Sequence, residues 1–371
     1  VTLLAGLALL VWLYLLLLHG HFWQSGPSLE VTHPAEALPV AIVVPARNEA
    51  DVIVATLRSL LTQDYAGPYR VVLIDDGSTD GTGDLARGLR DARLRVLDGT
   101  QPPAGWSGKL WAVAQGITEA GDAELVLLTD ADIMHDPRHL SALVARAEAG
   151  GLDLVSEMVA LACDSVAERT LVPAFVYLFQ LLYPFAWVND PLRETAAAAG
   201  GTILLRRRAL ARIGGIAAVR GALIDDVALA RAVKRGGRIW LGHADLARSV
   251  RPYPAFADIW RMVARTAYVQ LRFSPVLLVA TTLGMALIFV AGPVATLFGH
   301  GAGRVLGALA WGAMAWSYLP TLGRFGRSPA WAVALPAVAV FYMAATIGSA
   351  VDHYRGRGVT WKQRVYPGAG G

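Results

Sequence analysis

Cysteine is nearly absent: Cys163 stands alone among 371 residues. A single thiol excludes an intrachain disulfide and a cysteine-based zinc site, so the catalytic part needs no oxidising compartment. Charge is scarce too. Asp, Glu, Lys and Arg make up 17% of the chain against 55% hydrophobic residues, too apolar a balance for an ordinary soluble enzyme. The formal net charge of +4 is small for this length and gives no case for nucleic acid as a partner. Neither G-x-x-x-x-G-K-[ST] nor G-x-G-x-x-G occurs, which leaves an ordinary nucleotide-hydrolysing P-loop or a dinucleotide site unsupported.

The apolar residues are gathered rather than spread. Residues 1–18 carry no charge and form a slightly short membrane anchor. A cleaved leader is the alternative, although no small-x-small cleavage site follows. Further apolar stretches cover 275–297, 304–322 and 329–351, the middle one weakened by Tyr318 and Pro320. Residues 171–187 are apolar, with six aromatics and Pro184; they read as an interfacial or re-entrant helix, with a buried core helix as the alternative. Basic residues flank these stretches: Arg206-Arg207-Arg208, two Arg in the loop 323–328, and Arg355, Arg357, Lys362 and Arg364 in the tail 352–371. Such placement suits the cytoplasmic face of a membrane. Three full C-terminal spans would set that tail opposite the large domain, so one stretch is open to a re-entrant reading. The spans hold almost no internal ionisable residues, which argues against a transporter.

Residues 38–254 read differently. Apolar runs at 40–45, 70–76, 94–97, 125–132 and 153–159 alternate with helical patterns, including 109–120. The alternation predicts an α/β domain with a mostly parallel, Rossmann-like sheet, whose ligands gather at the carboxyl ends of the strands. Three polar clusters fall there. Pro45-Ala46-Arg47-Asn48-Glu49 follows the first strand, and Asp75-Asp76-Gly77-Ser78 ends the second. Asp76 and Asp75 suit hydrogen bonding to a base or ribose, while Asp80 suits a helix cap. Asp130-Ala131-Asp132 ends a later strand; two carboxylates two positions apart make a hard-oxygen site for Mg²⁺ or Mn²⁺, whose other ligands are waters and phosphate oxygens.

Lys109, at a helix start, is placed to meet a diphosphate or to be a solvated surface lysine. Asp225-Asp226 opens a helix after the small-residue run 196–201, and fits either simple dipole complementarity or a general base. In 255–273, Phe256, Trp260, Val263, Ala267 and Leu271 form one apolar face, with Arg261, Arg265 and Arg272 on another. These arginines suit lipid phosphates or a leaving diphosphate.

In order along the chain, these pieces resemble the family 2 inverting glycosyltransferases with a GT-A fold. The runs Gly108-Lys109-Leu110-Trp111-Ala112, Tyr183-Pro184-Phe185-Ala186-Trp187 and Ile259-Trp260-Arg261-Met262-Val263-Ala264-Arg265-Thr266 are similar to those of the hopene-associated membrane glycosyltransferases of bacteria. The resemblance implies a GT-A nucleotide-sugar domain with N-terminal and C-terminal transmembrane helices. It implies a nucleotide-sugar donor, expected to be UDP-linked, and a lipid acceptor of hopanoid type. It implies Mg²⁺ or Mn²⁺ on Asp132 and Asp130, and nucleoside contacts from Asp76, Asp75, Pro45, Arg47 and Glu49. Lys109 would steady the diphosphate, and Asp226 would be the base, with Asp225 where the family usually has Glu. The expected location is the bacterial inner membrane, multi-pass, with the catalytic domain cytosolic. The Q-x-x-R-W motif of processive members is reduced to Met262-x-x-Arg265-Thr266, which argues against a polymer-extruding synthase. The competing expectations are a polyprenyl-phosphate glycosyltransferase and a catalytically silent scaffold of the same fold.

Overall fold

The computed structural model describes residues 1–356 and the backbone of 360–361 and 364–365. Of the basic tail, Arg357 and Lys362 lie outside the described residues and only the backbone of Arg364 is described.

One eight-stranded sheet organises the catalytic part. Its strands are β1 (Val40–Ala46), β2 (Tyr69–Asp75), β3 (Leu94–Asp98), β4 (Leu125–Thr129), β5 (Ile133–His135), β6 (Leu154–Ala160), β7 (Thr202–Arg206) and β8 (Ile239–Ser249), in the order β3-β2-β1-β4-β7-β6-β8-β5. β1 is buried at every position, as its unbroken apolar run demands of a central strand covered on both faces. β1 pairs in parallel with both β2 and β4, whereas β7 is antiparallel to β4 and β6, and β5 is antiparallel to β8. The sheet is therefore mixed. β5, β7 and β8 were not anticipated from the sequence.

That mixture positions the site. Thr202 of β7 stands opposite Thr129 of β4, so the run 196–201 reaches the edge where β1, β2 and β4 end. Ser249 of β8 stands opposite Ile133, so the chain leaving β8 arrives there as well. The expected single strand over 125–132 is corrected: pairing stops at Thr129, and Asp130-Ala131-Asp132 forms the turn into β5.

The helix Gly108–Glu119 starts at Ser107, whose Oγ accepts from Leu110 N at 3.3 Å, and lies against β1 and β2. Its Gly116 sits so close to Val43 that any Cβ would collide with that side chain. Gly116→Ala should therefore destabilise the domain by about 1–3 kcal/mol through overpacking, read as a lower midpoint in thermal or denaturant unfolding.

The apolar helices form a second core with Trp12, Tyr177, Phe289, Met314 and Tyr342. The N-terminal helix Thr2–Leu17 has 16 residues, about 24 Å at 1.5 Å per residue, which is shorter than a bilayer's hydrocarbon core. Pro275–Phe298 and Pro329–Tyr354 are long and apolar enough to cross a membrane. A π-helical turn at Ala286–Ala291 interrupts the first of these, and Trp12 Nε1 donates to the Ile288 carbonyl there at 2.8 Å.

Gly299 and Gly303 lie against Val1 and Thr2, far along the bundle from the sheet, and Gly301–Arg324 returns to it. Arg324 reaches Asp245 at 2.5 Å and Ser28 at 3.2 Å. The next segment is Pro329–Tyr354. Its first turns run back along Gly301–Arg324, with Trp311 Nε1 on the Val333 carbonyl at 3.3 Å, and its far end meets Tyr268 through Tyr354 at 2.9 Å. Pro329–Tyr354 therefore starts just after Arg324, which touches Ser28 and Asp245, and ends beside Tyr268.

Two further boundaries differ. Residues 171–187 belong to two helices, Val166–Leu182 and Phe185–Asn189, broken before Pro184. The first buries Tyr177 against Ser317, whose hydroxyl lies 2.6 Å away, so this helix is a seam between the two cores. Residues 255–273 are not one helix: Phe256–Ala264 ends at Arg265, Ala267–Gln270 follows, and Arg272 and Phe273 have φ of 52° and 54°. Arg272 thus leaves the face expected to carry it.

Candidate active site

Two loops build one wall. Asp76 is buried, its N–H donating to the Ala46 carbonyl at 2.8 Å, and Asp75 Oδ1 accepts from Ser78 N at 2.9 Å. The loop after β1 is tied to the loop after β2. Asn48, at φ 51°, donates from its N–H to Ser78 Oγ and accepts from Thr79 N with its side chain, both at 2.9 Å. Asp80 accepts from Ala50 N at 3.0 Å and from Thr82 N at 3.1 Å, so it pins both loops; the cap position of the helix Thr82–Arg87 is Gly81, one residue later than expected. Arg47 hydrogen bonds to the Asp76 carbonyl and lies 3.9 Å from its carboxylate.

The opposite wall holds the charge cluster. Pro45, Lys109, Thr129, Asp130, Gly200, Asp225 and Asp226 line one small pocket. Lys109 Nζ is 2.8 Å from Asp130 Oδ1 and 3.9 Å from Asp225 Oδ2. Burial disfavours its charge, but Asp130 and Asp225 outweigh that and hold the ammonium above its ordinary pKa. Asp226 accepts from Gly200 N at 3.0 Å and from Val227 N at 2.7 Å. Its carboxyl is nevertheless pushed up to about 7, first by burial and then by the neighbouring Asp225 charge. A carboxyl poised near neutrality beside a fixed cation is equipped to take a proton.

Asp130 and Asp132 supply two hard oxygen donors on one turn. Among the described residues no set of three His, Cys, Asp or Glu converges on a common point. Mg²⁺ is commonly held by one or two carboxylates with water and phosphate completing its shell, so this donor set fits Mg²⁺ or the similarly hard Mn²⁺.

Sequence reasoning missed Arg251. Its Nε lies 2.5 Å from Asp132 Oδ2 and its Nη2 2.7 Å from Glu49 Oε1. No motif marks it, because its partners lie 119 and 202 residues away. A buried chain was missed too: Thr129 Oγ1 to His135 Nε2 at 3.1 Å, His135 Nδ1 to His139 Nδ1 at 2.7 Å, and His139 Nε2 to Glu157 Oε2 at 2.6 Å. It braces the turn that carries Asp130 and Asp132. The i, i+4 spacing of His135 and His139 was the available signal. Of the two arginines expected to serve a diphosphate or lipid, Arg261 pairs with Asp258 on its own helix at 2.5 Å and is largely exposed. Arg265 lies within electrostatic reach of Tyr253, which also feels Asp132 and Asp130.

Residues 41–214 match the family model of glycosyl transferase family 2. Over 94 residues, 25% of this chain, the sequence is 36% identical to 4,4'-diaponeurosporenoate glycosyltransferase of Staphylococcus aureus (strain USA300). The match spans about a quarter of that relative's length, 24%. Mannosyltransferase PcManGT from Pyrobaculum calidifontis, solved in complex with GDP-Man and Mn2+, superposes with a TM-score of 0.57 at 20% identity, covering 94% of this chain and 99% of that one. At that identity the likeness concerns the fold, a GT-A-like mixed sheet. The matched segment, the sheet and the acidic edge agree: residues 41–214, just under half of the chain, are similar to a family 2 glycosyltransferase domain.

Proposed function

We propose that this protein is a membrane-associated, inverting glycosyltransferase that moves a sugar from a nucleotide-sugar donor, a UDP-sugar by preference, to the hydroxyl of a lipid acceptor of hopanoid type. The observation that carries the reading is Asp226: a half-buried carboxyl pushed up to about 7, oriented by the Gly200 amide next to the Lys109–Asp130 pair. Asp76 and Asp75 would hold the nucleoside against the braced loops, with Arg47 fixing Asp76 and Pro45 and Glu49 closing the same wall. Lys109 would steady the diphosphate. Asp226 would take the proton from the acceptor hydroxyl as its oxygen bonds to the anomeric carbon. The bond from that carbon to the diphosphate oxygen breaks in the same displacement, inverting the centre. A divalent ion on Asp130 and Asp132 would, when bound, neutralise charge growing on the departing diphosphate.

The acceptor reading is supported by the surroundings. Val166–Leu182 packs against both the catalytic core and the apolar bundle, Phe256–Ala264 packs against that helix and Pro329–Tyr354, and Tyr183, next along the chain, lies within electrostatic reach of Asp226, where a lipid could offer its polar end. A curated relative is named for 4,4'-diaponeurosporenoate, a lipid-related acceptor. We read Pro329–Tyr354 as re-entrant, which keeps Arg355 on the side of the catalytic domain, the cytosolic side under the positive-inside rule. The placement is that of a multi-pass protein of a bacterial inner membrane.

The purified protein, given a panel of nucleotide sugars, Mg²⁺ or Mn²⁺ and bacterial lipid extract, should yield a glycosylated lipid by mass spectrometry. The product should carry inverted anomeric configuration. Absence of any sugar-bearing lipid with every donor would overturn this function.

A further inference from the structure

Arg251 follows the last strand of the sheet, in the run Val250-Arg251-Pro252-Tyr253. Its guanidinium bridges two acids from different loops, Asp132 after β4 and Glu49 after β1, at 2.5 and 2.7 Å. Val250 N also donates to the Asp132 carbonyl at 2.9 Å, so side chain and backbone hold the same turn. Both acid side chains are only 11% exposed, while Arg251 is 34% exposed. Carboxylates this buried need a counter-charge. A planar guanidinium with several donors satisfies two of them at once. A guanidinium held on Oδ2 of Asp132 already neutralises that carboxylate, and its positive charge repels a divalent ion approaching the same group.

We propose that Arg251 is a displaceable counter-ion of Asp132: it neutralises the carboxylate in the ion-free site, competes with Mg²⁺ or Mn²⁺ for it, and once released faces the donor's diphosphate. This rests on the reading of Asp132 as an ion ligand. Two consequences follow. The ion-free protein binds the metal more weakly than its carboxylates alone would allow. Metal and nucleoside diphosphate then reinforce one another, because the ion frees a cation for the phosphates.

The test uses Mn²⁺ alone as probe, with free ion followed by electron paramagnetic resonance on the full chain in detergent. Arg251→Met should bind Mn²⁺ about tenfold more tightly than the wild type, the size of a lost charge-assisted hydrogen bond. Arg251→Lys, which keeps a cation but cannot bridge two acids, should fall between them, and it serves if Arg251→Met does not fold. Asp132→Asn should abolish binding in either background. Saturating Mn²⁺ should tighten binding of a nucleoside diphosphate more in the wild type than in Arg251→Met. Unchanged or weaker Mn²⁺ binding by both Arg251 variants overturns the counter-ion role and leaves the ion site standing. No Mn²⁺ binding by any of the proteins overturns both, while sugar transfer is judged separately by the product assay.

Discussion

Asp226→Asn should reduce sugar transfer by about a thousandfold, within the range typical of a lost general base, while a nucleoside diphosphate binds almost as before. The variant keeps one carbonyl oxygen, enough for one of the Gly200 and Val227 amides that the wild type holds on separate oxygens, so its unfolding midpoint is measured alongside. What it loses is a group able to take a proton. The wild-type rate should rise with pH through about 7, where burial and Asp225 place this carboxyl, and then level off. A folded-state pKa above the ordinary 3.8 also has a cost. The unfolded chain releases this proton first, so this group's contribution to stability falls as pH rises from about 3.8 toward 7. Asp226→Asn should flatten that part of the melting-temperature profile. A variant with near-normal turnover, or a wild-type rate independent of pH between 6 and 8, as about one unit either side of neutrality, would remove Asp226 from the proton step.

Lys109→Met should cut kcat/KM by about a hundredfold, comparable to loss of one preorganised donor at a developing charge. The more telling readout is the pH profile. Lys109 is the cation that holds Asp226 down against burial and Asp225. Without it, Asp130, Asp225 and Asp226 face one another unbalanced, and the midpoint of the rate profile should move to higher pH. Lys109→Arg, which keeps the charge, should keep the midpoint close to the wild-type value. A fall in rate with an unmoved midpoint would confine Lys109 to holding the diphosphate.

The positions of these two residues were legible in the sequence because each sits where an element begins or ends, while their roles were implied only by the family resemblance. Asp226 opens a helix and Lys109 follows a serine cap, and local periodicity finds such places. β1, β2 and β4 were equally plain, since a strand buried on both faces writes itself as an apolar run. Where the signal became long-range, it failed. β8 carries Gly242, His243, Asp245 and Arg248 within its eleven residues, and only pairing with β6 and β5 makes it a strand. Arg251 is placed by that pairing and so stayed invisible with it. The strand expected to reach Asp132 stops at Thr129 because the chain must turn there to give β5 an antiparallel partner in β8. Amphipathic spacing suggested one helix over 255–273, but spacing carries no information about the backbone reversal at Arg272 and Phe273.

The cross-ties from Asn48 and Asp80 have a consequence for how a donor is met. A pocket wall held by Ser78, Thr79, Thr82 and Ala50 before any ligand arrives has little conformational freedom left to surrender. Encounter with a nucleoside should then resemble a key entering a finished lock, quick to seat and little slowed by rearrangement on that side. If this wall holds the nucleoside as proposed, selectivity for one base over another would be a matter of fixed shape rather than of closure around the ligand.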